Sequence, residues 1–158
     1  NLAAEDIKGL DLRAQYDYDT SDWGSFMAAL EYSKISDYDY QPTATAPVTK
    51  RPGTTAYPEF RYNVNLRWTW DDWTVNYTYR YIDEHEGVTA GSKYPEYDAM
   101  DLGVTWAAPW GGEIAFGALN LTDEDPSFDD VSGFDQEISL DLYDVSGRVP
   151  YLTYKHMF

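Results

Sequence analysis

Acid and imidazole meet at one place in this chain, Asp83-Glu84-His85-Glu86. A histidine beside carboxylates can bind a metal ion or move a proton. No second histidine follows four residues on, so the helical zinc-protease pattern fails. Acid–base work by His85 would need a Ser or Asp partner from elsewhere in the chain. A second concentration of acid runs through Asp123, Glu124, Asp125, Asp129, Asp130, Asp135, Glu137, Asp141 and Asp144. Carboxylate oxygens suit hard cations such as Ca²⁺, and Asp123, Asp125, Asp129 and Asp130 are the candidate ligands. Their spacing does not follow the Asp-x-Asp-x-Asp-Gly order of a calcium-hand loop, and a solvated acidic face is the favoured reading. Arg61, Arg67 and Arg80 could hold an anion through paired N–H donors. Tyr38, Tyr40, Phe128 and Phe134 are aromatic candidates for ligand contact from loops. No cofactor, metal centre or covalent chemistry is expected.

The elements that must position these residues are strands. From Phe60, apolar residues alternate with polar ones: Phe60, Tyr62, Val64, Leu66, Trp68 and Trp70 against Arg61, Asn63, Asn65, Arg67 and Thr69. After Asp71-Asp72 the alternation resumes, with Trp73, Val75, Tyr77, Tyr79 and Tyr81 against Thr74, Asn76, Thr78 and Arg80. A period of two places each set on its own face of a hairpin. Each arm has about the 9–11 residues that cross a bilayer as a tilted strand. The polar face carries arginine and asparagine, which a small packed interior does not accept without partners. The pattern therefore predicts lipid on the apolar face and a wet lumen on the other.

Similar alternation predicts strands near 8–18, 24–34, 60–70, 73–82, 97–107, 112–119 and 149–158, and long loops over 35–58, 83–96 and 120–147. Pro42, Pro47, Pro52 and Pro58 interrupt the first loop. Short and long connections alternate strictly, as they do between the two rims of an outer-membrane barrel. Trp23, Trp68, Trp70, Trp73, Trp106 and Trp110 all lie at or beside the short turns, where an interfacial belt of aromatics would sit. Single-chain bacterial barrels have an even number of strands, so seven predicted strands imply a sheet that continues into others.

Composition sets the outer bounds. The chain has 158 residues, a formal charge of −17, no cysteine, and 17% aromatic residues, with fifteen Tyr and six Trp. Strong acidity disfavours nucleic acid as a partner, and the lack of cysteine removes disulfide and thiolate chemistry. Mean hydropathy is low, which an alternating barrel strand hides as readily as a soluble protein does. The chain opens at Asn1 without a signal peptide, as a piece of something longer would.

Three stretches carry a family resemblance. Ile7-Lys8-Gly9-Leu10-Asp11-Leu12 resembles the opening of a late barrel strand. Ala118-Leu119-Asn120-Leu121-Thr122-Asp123-Glu124-Asp125-Pro126 resembles an "N-L-x-D-x-x-P" segment after the penultimate strand. Tyr143-Asp144-Val145-Ser146-Gly147-Arg148, followed by Tyr151 to Phe158, resembles a terminal "Y-D-x-x-G-R" and last strand. In this order they resemble the C-terminal portion of TonB-dependent outer-membrane receptors. The resemblance implies an all-β, antiparallel transmembrane β-barrel, of which this chain forms about the last seven strands of a barrel of about 22. It implies active import of a scarce nutrient (ferric siderophore, cobalamin or oligosaccharide) through the bacterial outer membrane. Its partners would be the remaining barrel strands and plug domain, the TonB complex through that plug, outer-membrane lipid and lipopolysaccharide, and a small-molecule ligand. Tyr154 and Phe158 would serve as the barrel-assembly signal, although His156 stands where the family usually has an aromatic residue.

Two other readings remain at this point. A soluble, secreted β-sandwich could bind carbohydrate through the same aromatics, and a small outer-membrane barrel enzyme could use His85. Burial of Tyr62, Leu66, Val75 and Tyr79 under a second layer of protein would favour the sandwich.

Overall fold

The computed structural model describes residues 4–54, 57–87, 91–126 and 142–156. Among the described residues it is all-β and antiparallel, 69% strand with no helix. The strands are β1 (Ala4–Thr20), β2 (Gly24–Gln41), β3 (Thr49–Lys50), β4 (Phe60–Trp70), β5 (Trp73–Ile82), β6 (His85–Glu86), β7 (Lys93–Tyr94), β8 (Tyr97–Ala108), β9 (Gly112–Leu119) and β10 (Val149–His156). The main sheet runs β1-β2-β4-β5-β8-β9-β10, with β3 added to β2, and β6 and β7 form a separate small hairpin. Each long strand thus pairs with the next long strand in the chain, as an up-and-down meander does.

Register follows the apolar pattern across the whole sheet. Tyr16 opposes Ala28, Ala28 opposes Leu66, Leu66 opposes Tyr77, Tyr77 opposes Leu102, and Leu102 opposes Ala118. On the opposite face Asn63 meets Arg80 and Arg67 meets Asn76. A slip of one residue anywhere would move a strand's apolar set to the wrong face. The polar face satisfies itself across strands: Arg13 Nε donates to Glu31 at 2.9 Å, Ser33 bonds Asp11, and Thr78 donates to Asn65 at 3.0 Å.

The strands on the long-connection side reach further than alternation alone predicts. The strand near 24–34 continues to Gln41, where the sequence reading places loop, and the strand near 8–18 starts at Ala4. The reason is a bulge. Gly9 pairs with Ile35 but Lys8 pairs with Asp37, which leaves Ser36 as the extra residue. The added residue inverts the faces beyond it. Lys8, Asp37 and Asp39 thereby continue the apolar face as a charged patch with Lys50, bridged at 3.2–3.4 Å. Inversion of phase breaks the alternation a sequence reader follows, so this strand end reads as loop.

Two glycines let the last strand close onto the sheet. Gly103, Gly117 and Tyr151 lie in one cross-strand row. A Cβ on Gly117 would collide with the Leu102 carbonyl and come within 2.8 Å of both the Gly103 Cα and the Tyr151 Oη, whereas a Cβ on Gly103 would clash only with the Tyr151 side chain. The tyrosine covers backbone that the glycines leave bare. Backbone cannot yield as a flexible side-chain tip can, so Gly117→Ala should cost about 2–3 kcal/mol and Gly103→Ala less than about 1 kcal/mol. Chemical denaturation of the two variants checks the order, and equal costs would refute the covering role of Tyr151.

Candidate functional site

Among the described residues, one cluster of buried hydrophobic side chains lies where the polar face meets the long connections. Ile82, Tyr97, Ala99 and Tyr143 pack there, with Leu142 beside them. β5 and β8 carry Ile82 and Ala99 onto the polar face, opposite Arg61 and Arg80. His85 is 2% exposed in the small hairpin just beyond β5. Its Nδ1 lies 3.1 Å from the Asp83 carbonyl and its Nε2 lies 3.3 Å from the Tyr143 hydroxyl. Tyr143 stacks on it at 6.0 Å and Tyr94 packs at 5.2 Å. Burial pushes the Tyr143 phenol up to about 12 and raises the Asp83 carboxyl above its ordinary value. Both imidazole nitrogens are engaged and water is excluded, an arrangement that fixes two connections to each other more readily than it abstracts protons.

The motif residues around Asn120 and Arg148 converge on the same edge. Arg80 forms a fork to Asp101 at 2.6 and 3.1 Å, and the Asn120 amide donates to Asp101 Oδ1 at 2.8 Å. Asn120 is buried and has a φ of 47°. Its side chain brackets the turn, donating to the Glu124 carbonyl at 2.8 Å and accepting from the Glu124 amide at 2.9 Å. Asparagine tolerates this left-handed backbone and can satisfy both groups at once. Asp123 then accepts from the Arg148 amide at 2.7 Å and from its guanidinium at 3.2 Å. The amide first, and the guanidinium next, hold the Asp123 carboxyl below the usual carboxylate range. Asp144 is lowered likewise by the Ser146 amide, 2.9 Å away. Asp123 is thus occupied by an arginine rather than poised for a cation, and Asp125 is exposed. Among the described residues no group of His, Asp and Glu is arranged to hold a metal ion.

A second tyrosine cluster orders the first long connection. Arg51 lies over the rings of Tyr38, Tyr40 and Tyr57 at 5.0, 3.8 and 5.0 Å. It donates to the hydroxyls of Tyr38 at 3.1 Å and Tyr57 at 2.7 Å, and Tyr38 also bonds Glu5. Tyr38 and Tyr40 are therefore spent on holding a loop. The Glu86 amide donates to the Gly53 carbonyl at 2.8 Å, tying this connection to the small hairpin.

The three arginines have different fates. Arg80 is paired with Asp101, and Arg67 donates to Asn76 at 2.8 Å. Arg61 is exposed and has no recorded partner among the described residues. It lines a groove of about 690 Å³ on the polar face with Asn63, Tyr97 and Asp144. The Tyr97 hydroxyl in that groove is buried and makes no hydrogen bond. The exposed guanidinium of Arg61 is a group that an anionic ligand could satisfy, whereas the Tyr97 hydroxyl is shut away from the groove's solvent.

The remaining candidates divide as follows. Trp68, Trp70, Trp73 and Trp106 form a row on the apolar face beside the short turns, with Trp68–Trp70 stacked at 6.1 Å and Trp73–Trp106 at 5.8 Å. Trp110 packs edge-on against Trp106, and the Trp68 indole donates to the Trp23 carbonyl at 2.7 Å. Tyr154 is exposed on β10, its hydroxyl 3.1 Å from His156. Phe128, Asp129, Asp130, Phe134 and Phe158 lie outside the described residues. The sequence reading missed Arg51, Tyr57, Tyr94 and Asp101. Arg51 stands in a proline-broken stretch without periodicity, whereas Asp101 precedes Leu102, whose cross-strand partner Ala118 opens the stretch that contains Asn120.

Comparison with protein families, with characterised proteins and with solved structures finds no match to this chain.

A depressed carboxyl stabilises a fold above its unfolded value and loses that contribution as pH falls through its folded value. Protection of the Arg148 amide from hydrogen exchange, corrected for the intrinsic rate, should be flat from about pH 7 to 5 and collapse below about 3.9. In Asp123→Asn the amide should be weakly protected throughout, with no such step. A step of the same size in the variant would remove Asp123 from this role.

Proposed function

We propose that this chain forms part of the wall and the long outer connections of a TonB-dependent outer-membrane receptor, a transmembrane β-barrel that imports a scarce nutrient. One observation carries the membrane reading. The apolar face of the sheet has no second layer of protein over it among the described residues, and Leu12, Tyr16, Leu66, Leu152 and Tyr154 on that face are 44–75% exposed. An apolar surface that crosses seven paired strands, with Lys34 and Asp98 on it only at its long-connection margin, is larger than the patches of a few hundred Å² that a soluble monomer ordinarily shows to water. Hydrocarbon is the medium in which such a face is at rest.

The rest of the sheet supports this. The apolar rows end toward the short turns in a line of tryptophans and toward the long connections in the charged patch of Lys8, Asp37, Asp39 and Lys50. The nine residues from Leu10 to Tyr18 lie between those limits, close to the ~9–11 of a tilted membrane strand. β1 and β10 each have one strand neighbour. Open edges are not stable in lipid, so the proposal requires further strands to pair with both. The particular family rests on the ordered motifs, two of which meet in the Asn120–Asp123–Arg148 contacts. In this reading ligand enters from the long-connection side, and the polar face lines the lumen around the receptor's plug.

The sandwich reading lacks, among the described residues, the second sheet it needs over the apolar face. The enzyme reading meets a histidine that is buried and bonded at both nitrogens.

Arginine at mid-bilayer on the lipid side of a barrel costs about 2–4 kcal/mol, and lumen positions are spared. Leu66→Arg should therefore destabilise the protein in vesicles by that amount, while Asn65→Arg on the other face stays within about 1 kcal/mol. Urea unfolding from phospholipid vesicles measures both. Equal penalties, or a wild-type protein that stays in solution without detergent, would overturn the membrane reading.

A further inference from the structure

The apolar face is not uniformly filled. In the row Tyr16–Ala28–Leu66–Tyr77, Ala28 is the one short side chain. A groove of about 430 Å³ opens over it, walled also by Tyr18 and Trp68. That volume lies within the ~300–1,000 Å³ of small-molecule sites. The groove lies beside the short turns, since the wall residue Trp68 bonds the backbone of Trp23. The nearest turns carry exposed Asp22, Asp71 and Asp72, and neither 19–24 nor 69–74 contains Lys or Arg; Arg67 also borders the groove, but its guanidinium bonds Asn76 on the polar face. An aromatic-walled slot beside turns that carry only carboxylate charge favours a molecule with a hydrocarbon tail and a cationic head. An anionic head would meet like charge there.

We propose that this slot holds one acyl chain of an amine-headed zwitterionic phospholipid, with its ammonium group set against the carboxylates of the two short turns. The site rests on the membrane reading above and adds to it a lipid preference. The tail contributes by removing apolar surface from its surroundings through close contact with the rings. The head contributes selectivity through exposed, salt-screened charge, which is a modest effect.

The test uses the full chain purified in detergent and measures lipid adducts by native mass spectrometry, with dioleoyl phosphatidylethanolamine and dioleoyl phosphatidylglycerol as probes. The wild-type protein should retain the amine-headed lipid over the anionic one by roughly threefold or more at low salt. Ala28→Trp, which fills the slot, should cut retention of both by about tenfold, the loss of contact with a few methylenes. Asp22→Lys with Asp72→Lys alters exposed turn positions only, so it keeps the test open if the Ala28 variant does not fold, and it should reverse the headgroup preference. Equal retention of the two lipids, no response to both sets of substitutions, or recovery of lipopolysaccharide or a second copy of the chain in their place overturns the proposal. A protein that needs detergent yet shows no preference fails the slot alone. One that stays soluble without detergent fails the membrane reading and the slot together.

Discussion

The constraint on which this structure depends is that a strand turns successive side chains to opposite faces, so register decides what each medium meets. Seven long strands hold that register in step. The row from Tyr16 through Leu66 to Leu102 crosses five strands without a polar side chain. Among the described residues no large core supports the sheet from behind, and its polar face is held by cross-strand pairs such as Arg13–Glu31 and Arg80–Asp101. Arg13–Glu31 is exposed and contributes little by itself, and Arg80–Asp101 is a single part-buried fork. The backbone ladder and the surroundings of the apolar face must supply most of the stability, which is the situation of a sheet in lipid.

The same constraint explains where the apolar band stops. Ser36 adds one residue to β2, and beyond it the apolar face becomes Lys8, Asp37 and Asp39. A bulge is an economical boundary, since one inserted residue exchanges the faces of every residue that follows on that strand. The inward side then receives Tyr38 and Tyr40, and Arg51 gathers them into a cation–π stack. The strand end and the loop anchor thus have one cause.

This also accounts for what could be read from the residues alone. The Phe60–Ile82 hairpin was legible because apolar and polar residues alternate without error on both sides of Asp71-Asp72, and the two-residue turn leaves no freedom of register. The antiparallel all-β class followed from repetition of that pattern. The extension of β2 to Gln41 was hidden, because the bulge inverts the phase the reader is following. The buried knot was hidden for a different reason. His85, Tyr97 and Tyr143 are far apart in the chain, and a histidine flanked by Asp83, Glu84 and Glu86 reads as solvated charge until tertiary contact buries it. Arg61 and Arg80 are indistinguishable by alternation, and what sets Arg80 apart is Asp101, which faces Thr78 and reaches Arg80 on the diagonal.

The distribution of burial divides the labour between the two ends of the sheet. Toward the short turns, the large aromatics Trp23, Trp70, Trp73 and Trp110 are all exposed; if order there depends on protein contacts alone, it is poorly provided for. Toward the long connections, Tyr94, Tyr97, Tyr143 and His85 are all under 6% exposed and pack on one another. That end carries its own small core and can hold loop geometry in water, whereas the middle and the turn end need another medium to cover their rings. Such an asymmetry suits a wall seated in a bilayer with one edge standing clear of it. On the membrane reading proposed above, ligand chemistry falls where the backbone is ordered by protein contacts, beside Arg61, and lipid chemistry at the opposite edge around Ala28.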